Sequence, residues 1–193
     1  MARNVSSPKF VDVNSINSQE NNNCRYWLEV PFISPKNSNK LCVILKNPSV
    51  ANNNKCDNTI RKVCNVAYNN GYSAVIILNL FPYRSTNPKG LLDFYGNTNY
   101  KKIMKRNMKV IQCKCNGNDV VFAWGTNTIS KSKTNKNIYD TAIKDVTSRI
   151  TNNTYYVKRC SCNKATCNNR NHSYIRYPLH GLRWHNNLKM IRY

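Results

Sequence analysis

The sequence predicts an α/β fold: a three-layer sandwich with a mainly four-stranded parallel sheet between helices. Three observations predict it. Four short apolar runs, at residues 41–45, 74–80, 119–124 and 154–158, are nearly continuous in hydrophobicity, as strands covered on both faces are. Helical patterns lie between them. Alternating strand and helix favours a parallel sheet, because each crossover helix returns the chain in the same direction.

Each element has its own local signal. An antiparallel edge strand is expected near residues 26–30, ahead of the first parallel strand. After residues 41–45, Asp57 can cap a helix whose Ile60, Val63, Cys64 and Ala67 fall at i, i+3, i+4 and i+7, with Gly71 as its stop. Residues 99–114, with Ile103, Met104, Met108 and Ile111, predict a second helix, and 138–149, with Ile138, Ala142, Ile143 and Val146, a third. Cys113 continues the apolar face of the second helix and is expected in the core. Residues 1–23 are polar and without periodicity, so they read as a flexible arm. Residues 24–193 read as one α/β domain carrying a Cys-rich insertion at about 159–173.

Charge narrows the partners. The 193 residues hold 30 Lys+Arg against 8 Asp+Glu, a formal net charge of +22. Compositional bias towards Asn and Lys supplies part of the lysine but not the shortage of acids. Such a field attracts phosphates over long range, so DNA or RNA is the expected partner, and a nucleotide-type small molecule the alternative. There is no apolar run of about 18 residues, the length a membrane helix needs. The opening MARNVSSPKF has no hydrophobic signal core. An intracellular, non-membrane protein is therefore expected, and its nine cysteines are expected as thiols or metal ligands rather than a disulfide framework.

The polar motifs follow the strands. Asn47-Pro48-Ser49 comes after the first, NLFPYRSTNPKGL (79–91) after the second, WGTNT (124–128) after the third and RYPLHGLRW (176–184) after the fourth. Loops at the carboxyl ends of parallel strands converge on one crevice, where open α/β sheets bind ligands. Asn47 is held extended by Pro48; it is either a turn residue or an amide placed to hold water or read a base edge. Asn79 ends an apolar run, either tying two loops together or reading the paired donor and acceptor of a base. Arg84, among Phe81 and Tyr83, suits phosphate contact beside stacked rings, while Phe81 is equally a core candidate. Arg61 sits at a helix start, where anions are favoured.

Other chemistries are disfavoured. Ser49 lies in no G-x-S-x-G elbow and has no identifiable His partner, so it reads as a ligand contact and not a hydrolase nucleophile. Neither a P-loop nor G-x-G-x-x-G is present, which argues against an ATP or dinucleotide cofactor. Cys160, Cys162, Cys167 and His172 are compact enough to close a structural zinc site, although the first gap is one residue where knuckles use two. Reduced surface thiols are the alternative.

Taken together, LKNPSVAN, CDNTIRKV, GYSAVIILNLFPYRSTNPKGL, VVFAWG and RYPLHGL resemble the family known as domain of unknown function 1643, over about residues 25–183. That family's last motif usually reads His-Pro-Leu-Tyr, where this chain has Tyr177-Pro178-Leu179-His180, and the Cys-rich stretch resembles an insertion. More distantly, the layout is similar to the uracil-DNA glycosylase superfamily, a parallel sheet with helices on both faces. That resemblance implies a DNA glycosylase-type role: Asn47 positioning water, Asn79 reading a flipped base, and Phe81 or another ring such as Trp124 stacking on it. Tyr177 falls where the catalytic His would be, with His180 as a substitute. Leu182 would wedge the duplex, and Arg183 with Arg84 would hold phosphates at the rim. The rival is a non-catalytic nucleic-acid or nucleotide-binding protein, a phage or viral factor acting on a host system.

Overall fold

The computed structural model describes every residue except 1–5, 22, 36, 49–55, 86–87, 127–132, 151–152, 158–179, 182–183, 185–189 and 193. After a short 3-10 turn at Val13–Ser15 come β1 (Asn17–Asn21), β2 (Cys24–Pro31), β3 (Lys40–Leu45) and α1 (Asn58–Asn69). Next are β4 (Ala74–Asn79), α2 (Pro88–Tyr95), α3 (Tyr100–Cys115), β5 (Asp119–Phe122), α4 (Lys133–Arg149), β6 (Thr154–Val157) and β7 (Met190–Arg192). The strands form one seven-stranded sheet in the order β1-β2-β4-β3-β5-β6-β7. Its middle is the four-stranded parallel unit β4-β3-β5-β6. Antiparallel strands flank it on both sides, β2 and β1 against β4, and β7 against β6.

Two apolar layers explain the continuous runs. On one face of the sheet α1 buries Ile60, Val63, Cys64 and Ala67 against Leu41, Val43, Val75 and Ile77, with Trp184 completing the layer. On the other, Ile76, Leu78 and Phe122 meet Met108 and Ile111 of α3 and Tyr139, Ile143 and Val146 of α4. Leu41, Cys42, Val43 and Ile44 are all fully buried, so none of these four has a solvent side to make polar. Helix α1 starts at Asp57, whose carboxylate accepts from the Ile60 amide at 2.8 Å. It ends at Gly71, whose φ of +85° favours glycine.

Three expectations need correction. Residues 6–21 are not a flexible arm. Val11 is buried, Phe10 stacks on Tyr68 with ring centroids 4.1 Å apart, and the polar strand Asn17–Asn21 pairs with β2. An edge strand draws on main-chain hydrogen bonds, which leave no hydrophobic alternation to read. Cys113 is exposed and Cys115 is the buried thiol, because α3 turns its seam through Met108, Ile111 and Cys115. Helix α2 rises inside a stretch read as loop; Pro88 opens it, and Leu91 and Phe94 anchor it.

Candidate functional site

The parallel unit sets where ligands can enter. From β3 the chain crosses to β4 on one side, and from β5 it crosses to β6 on the other. The loops leaving β3 and β5 therefore diverge and open a crevice between the two carboxyl ends, the topological switch point. Lys46 spans it. Its Nζ donates to the Thr126 carbonyl at 2.8 Å and lies 5.4 Å from the centre of the Tyr139 ring. Burial pulls this amine down to about 8, since a desolvated ammonium is disfavoured.

Hydrogen bonds tie the other loops to this one. Asn47 Nδ2 donates to the Ser85 carbonyl at 2.6 Å, joining the loops after β3 and β4. The Leu80 and Phe81 amides donate to the Leu45 and Lys46 carbonyls at 2.8 and 2.9 Å. The Tyr139 hydroxyl donates to the carbonyls of Trp124 and Gly125 at 3.1 and 2.9 Å, fixing the loop after β5. Gly125 has φ +73°, and a Cβ there would stand 2.8 Å from Cβ of His180. Gly181 fits just as closely, its missing Cβ facing Leu45, Thr59 and Val63 at 3.0–3.3 Å. Lys46, Asn47, Gly125 and His180 are thus brought to one end of the sheet.

Asn79 lies at the same end, paired in register with Leu45. Its side chain is 0% exposed, and neither Oδ1 nor Nδ2 meets a hydrogen-bond partner among the described residues. Its main chain is well held: Asn107 Nδ2 donates to the Asn79 and Leu80 carbonyls at 2.9 and 3.2 Å. An amide buried without partners disfavours folding by about 1–3 kcal/mol, so a strand tip has little structural reason to carry one. A ligand edge offering both a donor and an acceptor would satisfy it.

Other sequence candidates fall elsewhere. Phe81, 2% exposed, stacks on Tyr139 at 6.2 Å, and Trp124, 0% exposed, packs on Phe122 at 4.6 Å. Both are core residues that present no ring face to solvent, packed just beyond the ends of β4 and β5. Arg84 is not an open phosphate contact. Its guanidinium pairs with the Glu20 carboxylate and is largely shielded. Beside it Arg25 is 2% exposed; burial first, then the neighbouring Arg84 charge, bring it down to about 10. Arg61 is exposed on α1, and its guanidinium donates to the Asn58 side-chain Oδ1 at 3.3 Å. Ser49, Cys160, Cys162, Cys167, His172, Tyr177, Leu182 and Arg183 lie outside the described residues.

Sequence reasoning passed over Lys46, Asn107 and Tyr139. Asn107 had a usable signal: an amide at i+3 from Met104 and i−4 from Ile111, on an otherwise apolar face. Away from the crevice, α3 and α4 border a groove of about 770 Å³ that draws no lining residue from the motif loops. Comparison with curated proteins gave no match, and comparison with solved structures gave none. Residues 25–179 match the model of a family described as protein of unknown function, DUF1643, and the chain belongs to that family.

Proposed function

We propose that this protein binds nucleic acid and recognises a flipped base in the crevice at the carboxyl ends of β3, β4 and β5, as a DNA glycosylase-like N-glycosidase would. The observation that carries the reading is the Asn79 amide, fully buried at a strand tip with neither end satisfied among the described residues. A base edge presents a matching acceptor and donor. Flipping a nucleotide out of the stack costs a few kcal/mol, which the +22 charge helps to offset through phosphate attraction. Lys46 and His180, brought to this end of the sheet, would stabilise negative charge on a departing base, and the Asn47 side-chain Oδ1 would orient water. Uracil-DNA glycosylase-like architecture belongs to this same reading. So does a structural zinc on Cys160, Cys162, Cys167 and His172, for which metal analysis of reduced, chelator-free protein should give close to one equivalent.

The test is abasic-site formation on duplexes containing damaged or deaminated bases. Wild type should release a base, Asn47→Ala should lose release while binding survives, and Asn79→Ala should lose discrimination among bases. If the wild type releases no base from any duplex yet still discriminates bases, the non-catalytic binder stands instead. One observation favours that second version: Asn47 Nδ2 is already committed to the Ser85 carbonyl. Absence of nucleic-acid binding at about 50 mM salt, where phosphate attraction is strong, would end both.

A further inference from the structure

We propose that the groove between α3 and α4 is a path for single-stranded nucleic acid, separate from the crevice. Its rim and floor have the two parts such a path needs: cations that follow the backbone and aromatic surface on which bases stack. Lys101, Lys105 and Lys109 line it at i, i+4 and i+8. All three are exposed, and helical rise sets successive ones about 6 Å apart along α3. The groove's carboxylate, Asp145, is paired with Arg149 Nε at 2.8 Å, so the rim keeps its positive sign. Tyr95 is 46% exposed at the groove, its ring centroid 5.0 Å from that of Tyr100, and Met104 and Met108 contribute apolar floor.

This arrangement suits a single strand better than a duplex, whose bases are stacked inside and cannot reach the tyrosine and methionine surface. It also suits nucleic acid better than an acidic amphipathic helix. The lysines form one regular row beside an aromatic platform, and the whole chain carries far more cations than a single peptide contact needs. The inference rests on the proposed nucleic-acid reading for its class of partner, not on base excision.

The experiment measures binding of a thymidine oligomer and of a duplex of equal length across a salt series, with fold checked by circular dichroism. Combined Lys101→Glu, Lys105→Glu and Lys109→Glu should weaken oligomer binding at least about 30-fold and flatten the log–log salt slope by about two units, near 0.7 per phosphate contact. Tyr95→Ala should weaken it about 5- to 150-fold with the slope unchanged, the range for one stacked base. A wild type that neither releases nor discriminates bases yet shows the lysine and Tyr95 effects fails the crevice reading alone, so failure of base recognition and failure of the groove are told apart. The proposal is overturned if the charge reversals weaken duplex and oligomer equally while Tyr95→Ala does nothing. It is also overturned if an acidic amphipathic peptide binds the wild type, is lost in the triple variant, and does not compete with the oligomer.

Discussion

Asn107 holds the main chain of Asn79 through a 2.9 Å bond to its carbonyl, while the Asn79 side chain beside it has no partner among the described residues. The backbone at the tip of β4 is thus fixed from α3, and the amide it carries is left for something else. Asn107→Leu should destabilise the protein by about 1–3 kcal/mol, since two buried carbonyls lose a donor. Urea unfolding measures this; an unchanged midpoint would mean the carbonyls find replacements.

Asn79→Leu should move stability the other way. The substitution keeps the branched outline of four heavy atoms and removes two polar atoms that are unsatisfied among the described residues, so the protein should gain about 1–3 kcal/mol. Base discrimination should vanish in the same variant, the trade expected where a site is kept at the expense of stability. A loss of stability instead would show that the amide supports the fold.

Gly125 and Gly117 make a matched pair. Both have φ near +73°, but a Cβ at Gly117 would meet nothing within 4 Å, whereas one at Gly125 would meet Cβ of His180 at 2.8 Å. Gly117→Ala should carry only the left-handed backbone penalty, about 1–2 kcal/mol. Gly125→Ala should lose clearly more, because His180 must move. Equal losses in thermal or urea unfolding would show that the 180–181 segment yields freely.

The Lys46 amine supplies a pH signature. Its folded pKa, about 8, lies below the ordinary value of 10.5, so between those pH values the unfolded chain binds more protons than the folded one. Stability from this group therefore rises with pH across that window, and the burial penalty is fully present below it. Lys46→Met lacks the titration. The stability of wild type relative to the variant should increase from about pH 8 to about pH 10.5, and a flat difference would show that the amine is not desolvated. Comparison with the variant cancels the other titrating groups.

The sequence by itself determined the α/β class, the four parallel strands, the Asp57 cap and the Gly71 stop. These are written in local pattern: continuous apolar runs for strands covered twice, and a 3.6-residue stripe for α1. It also placed Asn47 and Asn79 at strand tips, because strand ends are set by the same apolar runs. Only the tertiary structure decided what those residues touch. The polar strand β1 exists because β2 offers it an unpaired edge, which no property of Asn17–Asn21 announces. Arg84 is paired because that edge brings Glu20 to it from 64 residues away. Phe81 and Trp124 became core, and Lys46 came to bridge β3 and β5, through contacts made across the sheet rather than along the chain. Burial and partnership at the site depend on such contacts, and a pattern read along the chain carries no distance between elements that pair across it.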